Sequence, residues 1–168
     1  ITISANSRNK IEINTLVGSY DLMGKQKEEF PTTPVIDQKK KVKILGSVLK
    51  EVINSTLFAV SKDDLKPSLT GVLFRFSSTG LTAVATDGHR LVKVVNDKYK
   101  TEMFHGDIVV PRKFLSYLSN HLGEKEVLLS IGETHLTATI EQDTIISRTI
   151  SEVFPDYESV IPTDNEKI

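Results

Sequence analysis

Apolar and polar residues alternate along most of this sequence. The alternating runs are Ile11 to Thr15, Leu69 to Ser77, Leu81 to Ala85, His89 to Val95, Asp107 to Val110, Val127 to Ile131, Leu136 to Ile140 and Thr144 to Ile150. Successive strand side chains point to opposite faces, so a period of two predicts strands, mostly with one face wet. Ser78-Thr79-Gly80, Asp87-Gly88, Gly132-Glu133 and Gln142-Asp143 separate neighbouring runs at hairpin spacing, which predicts antiparallel sheets. Ile1-Thr2-Ile3-Ser4 alternates as well and lacks an initiator Met, so the sequence reads as a fragment that begins inside a folded element.

A period near that of the α-helix occurs in two places. Leu45, Val48, Leu49, Val52 and Ile53 form one apolar stripe, which predicts a helix of about 13 residues. Phe114, Leu115, Leu118 and Leu122 form a shorter one, with Pro111 suited to its first turn and Gly123 to its C-terminal cap. From about Lys40 the order is therefore strand, helix, three strands, and then the same again, the halves joined by a loop around Asn96 to Gly106. The predicted class is α+β: two β-α-β-β-β halves, with paired helices on one side and antiparallel sheets on the other.

A second repeat is visible in the residues themselves. Glu29-Phe30-Pro31 followed by Val35-Ile36 returns as Val153-Phe154-Pro155 followed by Val160-Ile161-Pro162, and the strand Ile11 to Thr15 precedes the first as Leu136 to Ile140 precedes the second. Tandem domains of one kind account for both matches. The expected division is 1–36 as the tail of a preceding domain and its linker, 37–162 as a complete middle domain, and 163–168 as the start of a linker to a further domain.

Composition narrows the chemistry. Cysteine and tryptophan are absent, which excludes Cys-based zinc sites, thiol nucleophiles and disulfides, and fits the cytoplasm. Apolar runs such as Ile108-Val109-Val110 are far shorter than the roughly 20 residues of a membrane span. Lys and Arg total 21 against 22 Asp and Glu, a net charge of −1, so any basic surface must be local.

The most distinctive string is Val84-Ala85-Thr86-Asp87-Gly88-His89-Arg90-Leu91. Its plain reading is a hairpin, because Asp and Gly tolerate the positive φ of tight turns. The competing reading is a small hydrolase with Asp87 and His89 as an acid/base pair, although no nucleophile or Gly-rich phosphate loop accompanies them. His89, His105, His121 and His135 show no metal-ligand spacing, and no cofactor is implied. On the first helix the face opposite the core reads Lys43, Ser47, Lys50 and Asn54, with Lys43 at or just before the first turn. On the second it reads Arg112, Lys113, Ser116, Ser119 and Asn120. Both are basic and hydroxylic without a carboxylate, which suits weak, mobile, sequence-independent phosphate contacts as well as an ordinary solvated face.

Three stretches, in this order and spacing, resemble the bacterial DNA sliding clamps, the beta subunits of DNA polymerase III. They are Leu69-Thr70-Gly71-Val72-Leu73-Phe74 leading to Ala85-Thr86-Asp87-Gly88-His89-Arg90-Leu91, then Val109-Val110-Pro111-Arg112-Lys113, then Phe154-Pro155-Asp156-Tyr157 with Val160-Ile161-Pro162. The resemblance covers essentially the whole chain and implies the clamp fold and a non-enzymatic processivity factor. Two full-length protomers of three domains would close into a homodimeric ring around double-stranded DNA, with helices lining the hole. Lys43, Lys50, Arg112 and Lys113 are then the expected DNA-facing residues. The resemblance also implies a shallow groove for short linear motifs of the polymerase alpha subunit, the clamp loader and repair proteins. The matching positions are Leu69, Thr86, Gly88, His89, Arg90, Leu91, Pro155, Val160 and Ile161. Pro67 and Ser68 stand where many relatives place aromatic or basic residues, and Glu158 and Ser159 stand where basic residues often precede the groove valine.

Overall fold

A computed structural model describes residues 1–30, 32, 40–100 and 104–162. Pro31 and Val35-Ile36 of the repeated pattern, the expected 36/37 division, residues 101–103 of the connecting loop and residues 163–168 lie outside the described residues. The chain divides into two compact units, Ile1–Val35 and Ile36–Ile168.

The first unit is an antiparallel sheet of β1 (Thr2–Ala5), β2 (Lys10–Thr15) and β3 (Gly18–Met23), in that order. The Asn6 side chain accepts the Arg8 and Lys10 amides at 2.9 and 3.1 Å, and Asn9 takes a positive φ of 61°, a turn chemistry native to asparagine. β3 was not expected from the sequence, and all its residues are exposed.

In the second unit the order is β4 (Lys41–Leu45), α1 (Gly46–Thr56), β5 (Gly71–Ser77), β6 (Gly80–Thr86), β7 (Leu91–Asn96), β8 (Gly106–Pro111), α2 (Arg112–His121), β9 (Glu126–Ile131), β10 (His135–Ile140) and β11 (Asp143–Arg148). The doubled β-α-β-β-β pattern is present, with an exchange the sequence did not reveal. The sheets run β7-β6-β5-β8 and β11-β10-β9-β4, so each half gives its first strand to the other half's sheet. All pairings are antiparallel, with Lys41 opposite Ser130 and Gly71 opposite Pro111.

Both helices pack with both sheets into one core that includes Ile44, Leu49, Ile53, Phe74, Phe76, Leu81, Leu115, Leu118, Ile131 and Leu136. Each such side chain contributes about 1.5–3 kcal/mol on burial. Thr56, buried near the end of α1, returns its hydroxyl to the Val52 carbonyl at 2.9 Å. Among the described residues no buried side-chain polar atom lacks a partner, as native packing requires.

Several boundaries differ from expectation. Leu45 ends β4 rather than opening the helical stripe and is 45% exposed. α1 begins at Gly46, whose amide donates to the Lys125 carbonyl at 2.8 Å. A Cβ at Gly46 would lie 2.5 Å from the Gly123 carbonyl oxygen, so glycine is needed there for close approach. α2 leaves through Leu122 in extended conformation, and Gly123 is not among the glycines with positive φ. The β10–β11 turn is Glu141-Gln142, one residue earlier than expected, with Glu141 at φ 53°. Leu69 lies in a 3₁₀ turn, Pro67–Leu69, before β5.

Candidate functional site

The sheet β7-β6-β5-β8 is apolar on both faces. Val72, Phe74, Phe76, Leu81, Ala83 and Val110 face the helices, while Leu73, Val84 and Val109, one position out of phase, join a separate cluster. That cluster takes Leu69 from the 3₁₀ turn and Phe154 and Tyr157 from the segment after β11, with Leu91 and Ile150 at its margin. The Phe154 and Tyr157 rings meet edge to face at 6.4 Å, a favoured aromatic geometry. Sequence reasoning placed Leu69 and Leu91 here but missed Leu73, Val84, Val109, Ile150, Phe154 and Tyr157 as their support. The signal was the unbroken run Val72-Leu73-Phe74, which marks a strand covered on both sides.

The distinctive string forms a four-residue loop, Asp87 to Arg90, between paired Thr86 and Leu91, so His89 is in the loop rather than in β7. The Thr86 hydroxyl donates to the Arg90 carbonyl at 2.7 Å and accepts the Gly88 amide at 3.0 Å. One Asp87 carboxylate oxygen accepts the His89 and Arg90 amides at 3.0 and 3.1 Å, and the other accepts Arg90 Nε at 2.9 Å. These bonds, the His89 amide first, hold Asp87 at about 2, well below the usual carboxylate value. Such a carboxylate is a turn-builder and a poor base. Its bond to His89 uses that residue's main chain rather than its ring. Gly88 has a φ of 90° and open space where a Cβ would stand, leaving the loop's main chain approachable.

Pro155, Val160 and Ile161 are exposed, Val160 at 68% and Ile161 at 36%. They follow the Phe154–Tyr157 cover but are not part of the buried cluster. A cleft of about 880 Å³ beside the cover shares Leu73, Val109, Phe154 and Tyr157 with the cluster, yet Pro155 is the sole expected site residue that lines it. Among the described residues no group of His, Asp or Glu is arranged to hold a metal.

The basic residues divide. Arg112 and Lys113 are exposed in the first turn of α2. Lys50 is exposed on α1, and its ammonium donates to the Leu122 carbonyl at the end of α2, at 3.2 Å. Lys43 is not on the helix: it lies in β4, 3.6 Å from Glu126, because the strand continues to Leu45. Two further corrections concern the helix faces. Glu51 is exposed beside Lys50, so the α1 face does carry a carboxylate. Ser119 is buried, its hydroxyl given back to the Ser116 carbonyl at 3.1 Å, and the exposed face of α2 instead includes Tyr117 and His121, stacked at 4.4 Å.

Residues 43–156 match the family described as DNA polymerase III beta subunit, central domain. The chain is 34% identical over 149 residues to the beta sliding clamp of Halalkalibacterium halodurans, covering 86% of this chain and 39% of that protein. Among solved structures it resembles the DNA polymerase sliding clamp of Bacillus subtilis, with a TM-score of 0.85, 29% identity and coverage of 96% of this chain and 43% of that one. It also resembles the Pseudomonas aeruginosa sliding clamp bound to griselimycin, with a TM-score of 0.82, 29% identity and coverage of 98% and 45%. The chain thus spans less than half the length of these relatives.

Proposed function

The chain belongs to the DNA polymerase III beta subunit family, the bacterial sliding clamps, and we propose that it supplies part of a peptide-docking groove and of the DNA-facing wall of a processivity ring. The observation that carries the first part is the apolar cluster on the outer sheet face, away from the helices, with Leu69 and Leu91 at one side and exposed Val160 and Ile161 on the segment that covers it. A shallow apolar surface with an open main chain at Gly88 suits the Leu and Phe anchors of a short linear motif. His89 and Arg90 are exposed at the rim for polar groups. A Pseudomonas aeruginosa relative solved with griselimycin is in keeping with a ligand-binding surface on this fold.

For the second part, Arg112, Lys113 and Lys50 place positive charge on exposed helix surface. Contacts of this kind go to phosphates and carry no base sequence, which suits a protein that moves along a duplex. Lys43 is a weaker member of the set because of its strand position and its Glu126 partner. The proposed work is topological tethering rather than catalysis, in the cytoplasm, by a homodimeric ring of the full-length protein. Its partners would be the polymerase alpha subunit, the clamp loader and other motif-bearing proteins. The proposed domain division places the middle domain at 37–162.

A labelled Gln-Leu-x-Leu-Phe type peptide should bind the full-length protein, and Leu91→Asp should abolish that binding. Absence of binding to the unsubstituted protein would reject the groove. Full-length protein loaded on circular DNA should leave when the circle is cut, and retention on linear DNA with free ends would count against tethering.

A further inference from the structure

On the outer face of the sheet β7-β6-β5-β8 the charged Arg75 and Lys93 border the apolar Leu73 and Val84. Arg75 on β5 stands directly across from Asp107 on β8 and is held by that carboxylate through Nε at 3.0 Å and Nη2 at 2.9 Å. Lys93 projects from β7. Arg75 Cζ lies 5.6 Å from the centroid of the Tyr157 ring, and Lys93 Nζ lies 5.5 Å from it, within the reach of cation–π attraction. Arg75 Nη1 also donates to the Tyr157 hydroxyl at 3.1 Å, and that hydroxyl donates to Glu158 at 3.2 Å. The Glu158 carboxylate is 3.6 Å from Arg75 and 3.8 Å from Lys93. One aromatic ring and one carboxylate, adjacent in sequence, are therefore gripped by the same two cations.

The segment that follows is held by short-range bonds, the Glu158 amide donating to the Asp156 carboxylate at 3.2 Å and the Ser159 hydroxyl to the Asp156 carbonyl at 2.9 Å. Glu158, Ser159, Val160 and Ile161 are all exposed, and the nearest buried side chain before them is that of Tyr157. A 3₁₀ turn, Glu158–Val160, starts directly from Tyr157, with the Ile161 amide closing on the Glu158 carbonyl at 3.3 Å. A short hydrogen-bonded turn transmits the position of its first residue to its last.

We propose that Tyr157 and Glu158, fastened by Arg75 and Lys93, set where Val160 and Ile161 stand, and so act as positioning residues for the apolar peptide groove. This rests on the groove reading above. The Tyr157 ring serves two masters: its body seals the apolar cluster and its hydroxyl end is tied into the ionic network. Arg75 and Lys93 come from different strands, so the wall carrying Val160 and Ile161 is registered against the same sheet that carries Leu91.

The test uses the full-length protein with Tyr157→Phe, Glu158→Gln, Glu158→Lys, and the exchange Lys93→Glu with Glu158→Lys. Methyl NMR of the free protein reads the positions of Val160 and Ile161, and anisotropy of a fluorescein-labelled Gln-Leu-Ser-Leu-Phe peptide reads the groove. Tyr157→Phe and Glu158→Gln should move the Val160 and Ile161 methyl resonances while those of core Val72 and Leu118 stay, and should weaken the peptide about 3- to 10-fold. Glu158→Lys should weaken it most, and the Lys93/Glu158 exchange should recover part of the loss, which a merely structural role would not predict. Unmoved methyls with affinities within about twofold of the unsubstituted protein would overturn the positioning role while leaving the groove intact. Moved methyls in a protein that binds no peptide would keep the positioning role and overturn the groove.

Discussion

Replacing Gly46 by alanine probes the joint between the two halves. A methyl there would lie 2.5 Å from the Gly123 carbonyl oxygen and 2.8 Å from the Lys125 carbonyl oxygen, where ordinary contact begins at 3.4 Å. Both are main-chain atoms, and the Lys125 carbonyl already accepts the Gly46 amide at 2.8 Å. Relief therefore requires the chain between α2 and β9 to retreat, and that chain is anchored by the pairing of β9 with β4, with Leu45 opposite Glu126. Overpacking of this kind costs about 1–3 kcal/mol, and the better helix propensity of alanine offsets at most about 1 kcal/mol. Contacts of 2.5 and 2.8 Å to main-chain atoms put the cost in the upper part of that range, about 2–3 kcal/mol, which leaves a net loss of about 1–2 kcal/mol. For a domain of this size that lowers the melting midpoint by about 3–6 °C. The assay is thermal and urea unfolding of the second unit, with Gly123→Ala as the control. No atom lies within 4 Å of a Cβ at Gly123, so the control should be neutral or slightly stabilising. A Gly46→Ala protein as stable as the parent would refute the claim that glycine is needed at this position for close approach.

Asp87 should titrate by carboxyl NMR at about 2. A depressed folded-state value contributes stability that is present above the unfolded value, ~3.9, and is lost as pH falls through the folded one, so the loop should weaken between about pH 4 and pH 2. A midpoint near the ordinary value would contradict the bonds assigned to its oxygens. Burial, opposed in part by Arg75, pushes the Tyr157 hydroxyl above its ordinary value. The stability linked to its proton is present below about pH 10 and lost as pH rises through the folded-state value. Tyr157→Phe should remove a high-pH component from the ultraviolet tyrosinate titration, and loss of an ordinary component instead would count against the burial argument. In the full-length protein, Arg112→Ala with Lys113→Ala should reduce the salt-dependence exponent for duplex DNA by about two; an unchanged exponent would remove the first turn of α2 from the DNA-facing surface.

Much of the second unit was legible because its burial is periodic. Val72, Phe74 and Phe76 on β5, and Phe114, Leu115 and Leu118 on α2, carry their structure in their spacing. What could not be read depends on context beyond the local pattern. Leu45 fits a helical spacing to Val48 equally well as it fits the end of a strand, and only its pairing with Glu126 decides. β3, Gly18–Met23, offers only Tyr20 and Leu22 at strand spacing beside Gly18 and Ser19, too short an alternation to mark a strand. Ser119 looks like an outward residue until its hydroxyl is seen to find the Ser116 carbonyl, which removes the penalty for burial. Of the candidate site, the loop from Thr86 to Leu91 was visible because its turn chemistry is local. The role of Tyr157 was not, because it is defined by Arg75 and Lys93, which approach from distant parts of the chain.

The exchange of first strands between the sheets bears on how the second unit acquires its structure. β4 reaches its place only by pairing with β9, from the far part of the sequence, and β8 reaches its place beside β5 across the β6–β7 hairpin. Closing such distances costs chain entropy before the pairing returns anything, and non-local pairing of this kind slows folding. Neither half can mature first and wait for the other, since each lacks a strand that the other carries. A chain divided between β7 and β8 should therefore give two pieces that are poorly ordered apart and complement one another when mixed, so that a break in the connecting loop leaves the two lengths interlocked rather than released.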